Sequence, residues 1–182
     1  MEIHLIRHTT PDIGKGICYG HSEVGLKASF DEECQAVLNH LPARATAVYS
    51  SPLFRCLRLA KEISSHCSIP LLIDDRLKEL NFGDFENKRW EAVDQKALQD
   101  WMDDYVNVKC PNGESYRELS ARVNQFLQEI FQTSYQSIII VTHGGVMKSI
   151  DAAINKTSLE KAMEKVFDYG GIYTYTLDSK TL

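Results

Sequence analysis

A chain of 182 residues with a formal charge of −5, 43% hydrophobic and 25% charged, has the make-up of one ordinary globular domain. The acidic balance leaves no basic field to neutralise nucleic-acid phosphates, so nucleic acid is excluded as a partner and any anion must be captured by a local cluster of cations. Cys18, Cys34, Cys56, Cys67 and Cys110 form no CxxC pair and read as reduced thiols of a cytoplasmic protein. No apolar stretch reaches membrane length, and MEIHLIRH lacks the layout of a secretory leader.

The apolar run EIHLIR (2–7) predicts a buried strand, and the residues from Phe30 to Leu41 predict a helix. TAVYS (46–50) is a second strand. Ser51-Pro52 behind it is a helix start signal, with Ser at N-cap and Pro at N1, for a helix running to about Ser65. PLLI (70–73) is a weaker strand. Between Asn81 and Gly113 lie two aromatic-rich stretches, with Trp90, Val93, Ala97, Leu98, Trp101, Met102 and Tyr105 at helical spacing. They read first as a small helical cap packing its own apolar stripe, and Trp90, Trp101 or Tyr105 can at the same time wall a substrate pocket. Ser115-Tyr116-Arg117-Glu118 is a capping box opening a further helix, SIIIVT (137–142) is a strand apolar on both faces, and GIYTYTL (171–177) alternates like an edge or antiparallel strand. Strands alternating with helices predict a single α/β domain with a mostly parallel sheet.

Two strands end alike. The first runs into Arg7-His8, and 137–142 runs into His143-Gly144-Gly145 with a helix to follow. If both are parallel, their carboxyl ends share the sheet edge where open α/β folds bind ligands. His8 and His143 then face one crevice, and the glycines let an anion approach backbone N–H groups at a helix start. Arg55 lies about one turn into the helix after 46–50 and can reach back over that edge, and Glu79 leaves another strand towards it. Two arginines suit bidentate phosphate binding, one histidine suits attack on phosphorus, and a carboxyl group suits proton transfer to the departing oxygen. A metal shared by His4 and His8 fails on geometry, because four residues of strand separate them by roughly 13 Å. His4 itself is as readily packed as exposed, and His40 and His66 read as surface residues.

Taken together, these segments resemble the histidine phosphatase superfamily, the phosphoglycerate-mutase-like proteins. LIRH is similar to the family's LxRHG motif, SSPLFRCLRLA to SSPLxRAxxTA, LKELNFGDFE to LxExxFGxWEG, CPNGESYRELSARV to PxGES…R, and VTHGGV to its second-histidine motif, all in family order. The resemblance implies a three-layer α/β/α fold spanning 1–182, with a helical cap at about 84–113. It implies His8 as the phosphorylated nucleophile, Arg7, Arg55 and His143 as the phosphate pocket, and Glu79 as proton donor, with no metal or other cofactor. The expected ligand is a small-molecule phosphomonoester, bound by a monomer or homodimer. Thr9-Thr10-Pro11 replaces the family's Gly-Glu-Thr, and Gly14 stands where an asparagine often contacts phosphate, so a hydroxyl of Thr9 or Thr10 is expected to fill in. The loop GICYGHSEVGL (16–26) looks like that of bacterial α-ribazole phosphatases of cobalamin assembly, which implies that Cys18, Tyr19 and Gly20, with Gly144, line the substrate site. A mutase that returns the phosphoryl group to bound phosphoglycerate, a broad sugar-phosphate phosphatase and a non-catalytic phosphate-binding protein are the competing readings.

Overall fold

The computed structural model describes residues 1–177. Strand β1 (Glu2–Arg7) is followed by a short antiparallel ribbon of β2 (Pro11–Asp12) and β3 (Gly25–Leu26), then by α1 (Phe30–Leu38), β4 (Val48–Ser50), α2 (Phe54–Cys67) and β5 (Leu71–Ile73). After a run of 3-10 turns come α3 (Gln95–Asp103), α4 (Tyr116–Phe131), β6 (Ser137–Thr142), α5 (Gly144–Asn155), α6 (Leu159–Met163) and β7 (Ile172–Thr176).

The central sheet has the order β5-β4-β6-β1-β7. Its neighbours run parallel except β7, which pairs antiparallel with β1, as its alternating pattern predicts. Every residue of β6 is buried, because alternate side chains serve two cores. Ile138 and Ile140 pack beneath Leu119, Val123 and Phe126 of α4 and Met147 and Ile150 of α5. Ile139 and Val141 face Cys34 and Val37 of α1 and Cys56, Leu59 and Ile63 of α2. The result is the expected three-layer α/β/α architecture.

Three expectations are corrected. Ser51 does not cap α2, which starts at Phe54 with Leu53 at the N-cap. The chain stays in the sheet one residue longer, with the Ser51 N–H on the Val141 carbonyl (3.1 Å), and Glu23 takes the free Phe54 N–H (2.9 Å) instead. Helix α1 stops at Leu38 rather than Leu41. The first half of the cap is not helical but forms 3-10 turns at Gly83–Phe85 and Trp90–Ala92. Its backbone is spent elsewhere: Cys18 N–H donates to the Lys88 carbonyl and Asn87 N–H to the Cys18 carbonyl (both 2.9 Å), while Gly83 and Asn87 adopt positive φ. Cys18, Phe85, Val93 and Cys110 form the cap's own small core.

The capping box of α4 is formed as read, with Ser115 and Glu118 exchanging side-chain and backbone bonds. Ser115→Ala should therefore lower stability by about 1 kcal/mol in urea unfolding and leave turnover unchanged; an equal loss of turnover would place the cap in the site's support.

Candidate active site

Strand register brings the site together. Arg7 pairs with Thr142 across β1 and β6, so the next residues, His8 and His143, emerge side by side. Ser50 pairs with Val141 across β4 and β6, which sets Ser51 on the other flank of His143. The imidazoles of His8 and His143 meet edge to face with centroids 5.1 Å apart, close to the spacing of adjacent strands. They are 2% and 0% exposed, so little water reaches either ring.

The hydrogen bonds assign their tautomers. His8 Nδ1 lies 2.7 Å from the Thr9 carbonyl, which only accepts, so Nδ1 carries the proton and Nε2 keeps its lone pair. Burial, helped by the Arg55 cation, pushes the His8 pKa down to about 3, and the ring is neutral. His143 Nδ1 accepts from Arg55 Nε (3.2 Å), so its proton sits on Nε2 and points at Ser51 Oγ (2.8 Å). Burial and Arg55 together hold His143 well below the usual imidazole range.

Arg55 is fully buried, and its other nitrogens donate to the carbonyls of Ser22 (3.0 Å) and Gly20 (2.6 Å). The loop offering those carbonyls is itself held by Glu86, whose carboxylate accepts from the backbone of His21 (2.8 Å), Ser22 (2.6 Å) and Phe82 (3.0 Å). Burial works against that carboxylate, but the donors around it keep its pKa below the ordinary value. Gly20 is packed so closely that a Cβ would lie 1.9 Å from the Leu80 carbonyl. Arg7 donates to the Phe167 carbonyl (2.7 Å), while its buried Nε has no partner. Among the described residues, no carboxylate pairs with Arg7 or Arg55. The site thus holds two neutral imidazoles and two guanidinium charges that, among the described residues, make no ion pair.

Glu79 stands at the rim. Both its oxygens lie 3.1 Å from the Gly145 N–H at the start of α5, and the Leu80 N–H adds a further bond at 3.0 Å. A Cβ on Gly145 would come within 2.4 Å of Glu79 Oε1, so this approach needs glycine. Arg122 of α4 clamps the segment carrying Glu79 by donating to the carbonyls of Arg76, Lys78 and Glu79 (2.6, 2.7 and 2.9 Å).

A sequence profile of the histidine phosphatase superfamily (branch 1) matches residues 3–181. The chain belongs to that superfamily. It is 29% identical over 176 residues to a putative phosphoserine phosphatase 2 of Hydrogenobacter thermophilus, covering 94% of this chain and 87% of that one. It is also 29% identical over 161 residues to an adenosylcobalamin/α-ribazole phosphatase of Escherichia coli K12, covering 85% and 79%. The fold matches the crystal structure of the α-ribazole phosphatase of Shigella flexneri with a TM-score of 0.92 at 27% identity, over 99% and 92% of the two chains.

Of the residues singled out in the sequence of this histidine phosphatase, His8, His143, Arg55 and Arg7 converge. Gly144 lies against Arg7, where a Cβ would sit 3.5 Å from the guanidinium carbon. Thr9 is fully buried with a hydroxyl that finds no partner, whereas Thr10 turns its N–H to Glu33 (2.7 Å). Tyr19 lies over Arg55, its ring 5.3 Å from the guanidinium carbon. Cys18 points instead into the cap core, where burial first and Glu86 second push its thiol up to about 12. Gly14 is exposed in its loop. His4 is packed, bonded to Thr174 (2.8 Å) and Ser137 (3.0 Å).

Beside Arg7 and Glu79 opens a cavity of about 260 Å³ lined by Leu80, Phe82, Trp101, Met163 and Phe167, with Lys148 also in its wall. Lys148 donates to the Met163 carbonyl (2.8 Å), and burial lowers its pKa against the pull of Glu79. Trp101 is thus both cap stripe and cavity wall. Sequence reading gave no site role to Ser51, Glu86, Arg122 or Lys148, although the first three lie inside the motif segments SSPLFRCLRLA, LKELNFGDFE and CPNGESYRELSARV.

The buried neutral histidines set a pH dependence. The unfolded chain takes up protons below about pH 6.5, while folded His8 and His143 do not, so stability must fall as pH falls. Urea unfolding at pH 7, 6 and 5 should show a loss approaching about 1.4 kcal/mol per pH unit for each such histidine below its unfolded pKa, and His8→Gln should remove one share of the slope. A flat profile would mean that both rings are charged in the fold.

Proposed function

We propose that this histidine phosphatase hydrolyses a small-molecule phosphomonoester through a phosphohistidine at His8, with α-ribazole 5'-phosphate as the substrate. The observation that carries the reading is the unbalanced charge. Two guanidinium groups without a carboxylate partner, one keeping a bare buried N–H, lie beside an imidazole with a free lone pair. An unpaired and fully buried cation such as Arg55 costs on the order of several kcal/mol, and the partly buried Arg7 costs less. A phosphate dianion offsets that cost and brings phosphorus to Nε2.

In the first step His8 Nε2 attacks phosphorus in line and the bond to the alcohol oxygen breaks. The Thr9 carbonyl, already accepting from Nδ1–H, stabilises the positive ring that results. Arg7 and Arg55 bind the equatorial oxygens, and His143 holds Arg55 in place. Glu79, on the cavity side, passes a proton to the departing alkoxide. In the second step water attacks phosphorus from that side, Glu79 takes its proton, the N–P bond breaks and inorganic phosphate leaves with His8 restored. The transition state is loose, so positioning and charge supply most of the rate.

The cavity supports the choice of alcohol. Its aromatic and aliphatic walls suit a flat, uncharged base carried on a sugar. A phosphoserine would bring a small zwitterion, which leaves the apolar walls Leu80, Phe82, Trp101, Met163 and Phe167 without a partner.

Initial rates across α-ribazole 5'-phosphate, phosphoserine, phosphoglycerates and sugar phosphates test the substrate. The account expects kcat/KM highest for α-ribazole 5'-phosphate, and a higher value for phosphoserine would overturn that choice. With an alkyl phosphate, Glu79→Gln should lose about a hundredfold or more, but far less with p-nitrophenyl phosphate, whose leaving group needs no proton. Equal losses would remove Glu79 from the acid role.

A further inference from the structure

Nothing so far uses Tyr169, an exposed aromatic in the turn between α6 and β7. That turn is bound to the site at several points. The Gly170 N–H donates to the carbonyls of both Arg7 (3.1 Å) and His8 (3.3 Å), the Arg7 N–H donates to the Gly171 carbonyl (3.3 Å), and the Arg7 side chain reaches the Phe167 carbonyl. Gly170 has a φ of 68°, which turns the chain sharply enough to send the neighbouring ring back over the strand ends.

The ring lies over the Arg7 guanidinium and is tilted by 45° to the His8 ring. Its centroid is 3.8 Å from the Arg7 guanidinium carbon and 5.4 Å from the His8 ring. Its hydroxyl bonds the Tyr19 hydroxyl at 2.9 Å, and Tyr19 in turn covers Arg55. The two loops that carry these tyrosines, 16–22 and 164–171, therefore meet above the nucleophile. His8 is 2% exposed beneath them although Tyr169 itself is 38% exposed. The 260 Å³ cavity reaches Arg7 and Glu79 but has no wall from His8, Tyr19 or Tyr169, so it lies on the other side of the roof.

We infer that Tyr169 is a positioning residue: its ring holds the Arg7 guanidinium in the phosphate-binding orientation and, joined to Tyr19, roofs His8 so that substrate and water reach phosphorus from the Glu79 side. The arrangement answers a need of the two-step reaction. Only a water beside Glu79 can give up its proton to that carboxylate, so solvent excluded from the His8 face is solvent directed to the productive face. A flat aromatic face also restrains a guanidinium without using any of its N–H groups, which leaves the unpartnered Arg7 Nε for a phosphate oxygen.

The inference rests on the phosphatase reading, and the test separates the two. Orthovanadate affinity and carbethoxylation of His8 by diethylpyrocarbonate, mapped by mass spectrometry, are measured in wild type, Tyr169→Ala, Tyr169→Phe and Tyr19→Ala, with folding checked by circular dichroism. Tyr169→Ala should weaken vanadate at least tenfold and speed His8 modification at least fivefold, and Tyr169→Phe should restore vanadate affinity to within threefold. Wild-type affinity in a folded Tyr169→Ala, or a Phe variant as weak as the Ala variant, would overturn the hold on Arg7. Unchanged His8 reactivity in Tyr19→Ala, which opens the roof without removing the ring on Arg7, would overturn the roof even if Tyr169→Ala failed to fold. Absence of vanadate binding in the wild type would count against the phosphatase reading alone, with the carbethoxylation arm still deciding the roof.

Discussion

A buried arginine with no acid to pair with is the constraint around which the molecule is arranged. Arg55 sits in the middle of the fold, satisfied in hydrogen bonds by two loop carbonyls and one imidazole but not in charge. Around it, only three residues separate the end of β4 from α2, Glu23 meets the first N–H of α2, and Glu86 braces the loop that offers the carbonyls. The bond to the imidazole requires His143 to remain neutral, since a protonated ring has no lone pair for Arg55 Nε. Burial and the guanidinium both push it in that direction. The charge left over at the sheet edge is what an oxyanion answers.

The three strands that meet there divide the work by register. Side by side, β6 and β1 deliver His143 and His8 in one row, and β4 delivers Ser51 one residue behind them, level with Thr142. Their order follows from pairing in the sheet, so the distance between the two imidazoles is a property of the backbone and not of side-chain adjustment. Glu79 reaches the same edge by a different route, on a segment fastened by Arg122 from α4 and by the Thr142 hydroxyl on the Leu77 carbonyl (2.8 Å). Glu79 is thereby tied to the strand that leads into His143.

Much of this was legible in the chain because the residues that matter follow patterned elements. Two apolar runs ending in Arg7-His8 and Thr142-His143 place both histidines as soon as the strands are taken as parallel, and the helix after Ser50 brings Arg55 with them. What stayed hidden depends on pairings that no local pattern encodes. Ser51 looks like a helix cap because Ser-Pro is a cap signal, yet one further ladder bond keeps it in the sheet and gives its hydroxyl to His143. The first cap segment has helical spacing, but its backbone bonds the loop around Cys18 and closes only short 3-10 turns of its own. Glu86 and Arg122 stand inside quoted motifs, but nothing local tells which loops they hold. Tyr169 lies in a DYGG turn whose only sequence message is a change of direction.

The account's central claim is that neutral His8 accepts a phosphoryl group beside these unpaired cations. Millisecond quenching with a phosphomonoester, followed by mass-spectrometric mapping under alkaline conditions, tests it most directly. An acid-labile, base-stable phosphoryl group on His8, formed and lost at rates compatible with turnover, is the predicted result. Turnover that proceeds with His8 unmodified, or with the phosphoryl group on another side chain, would contradict it.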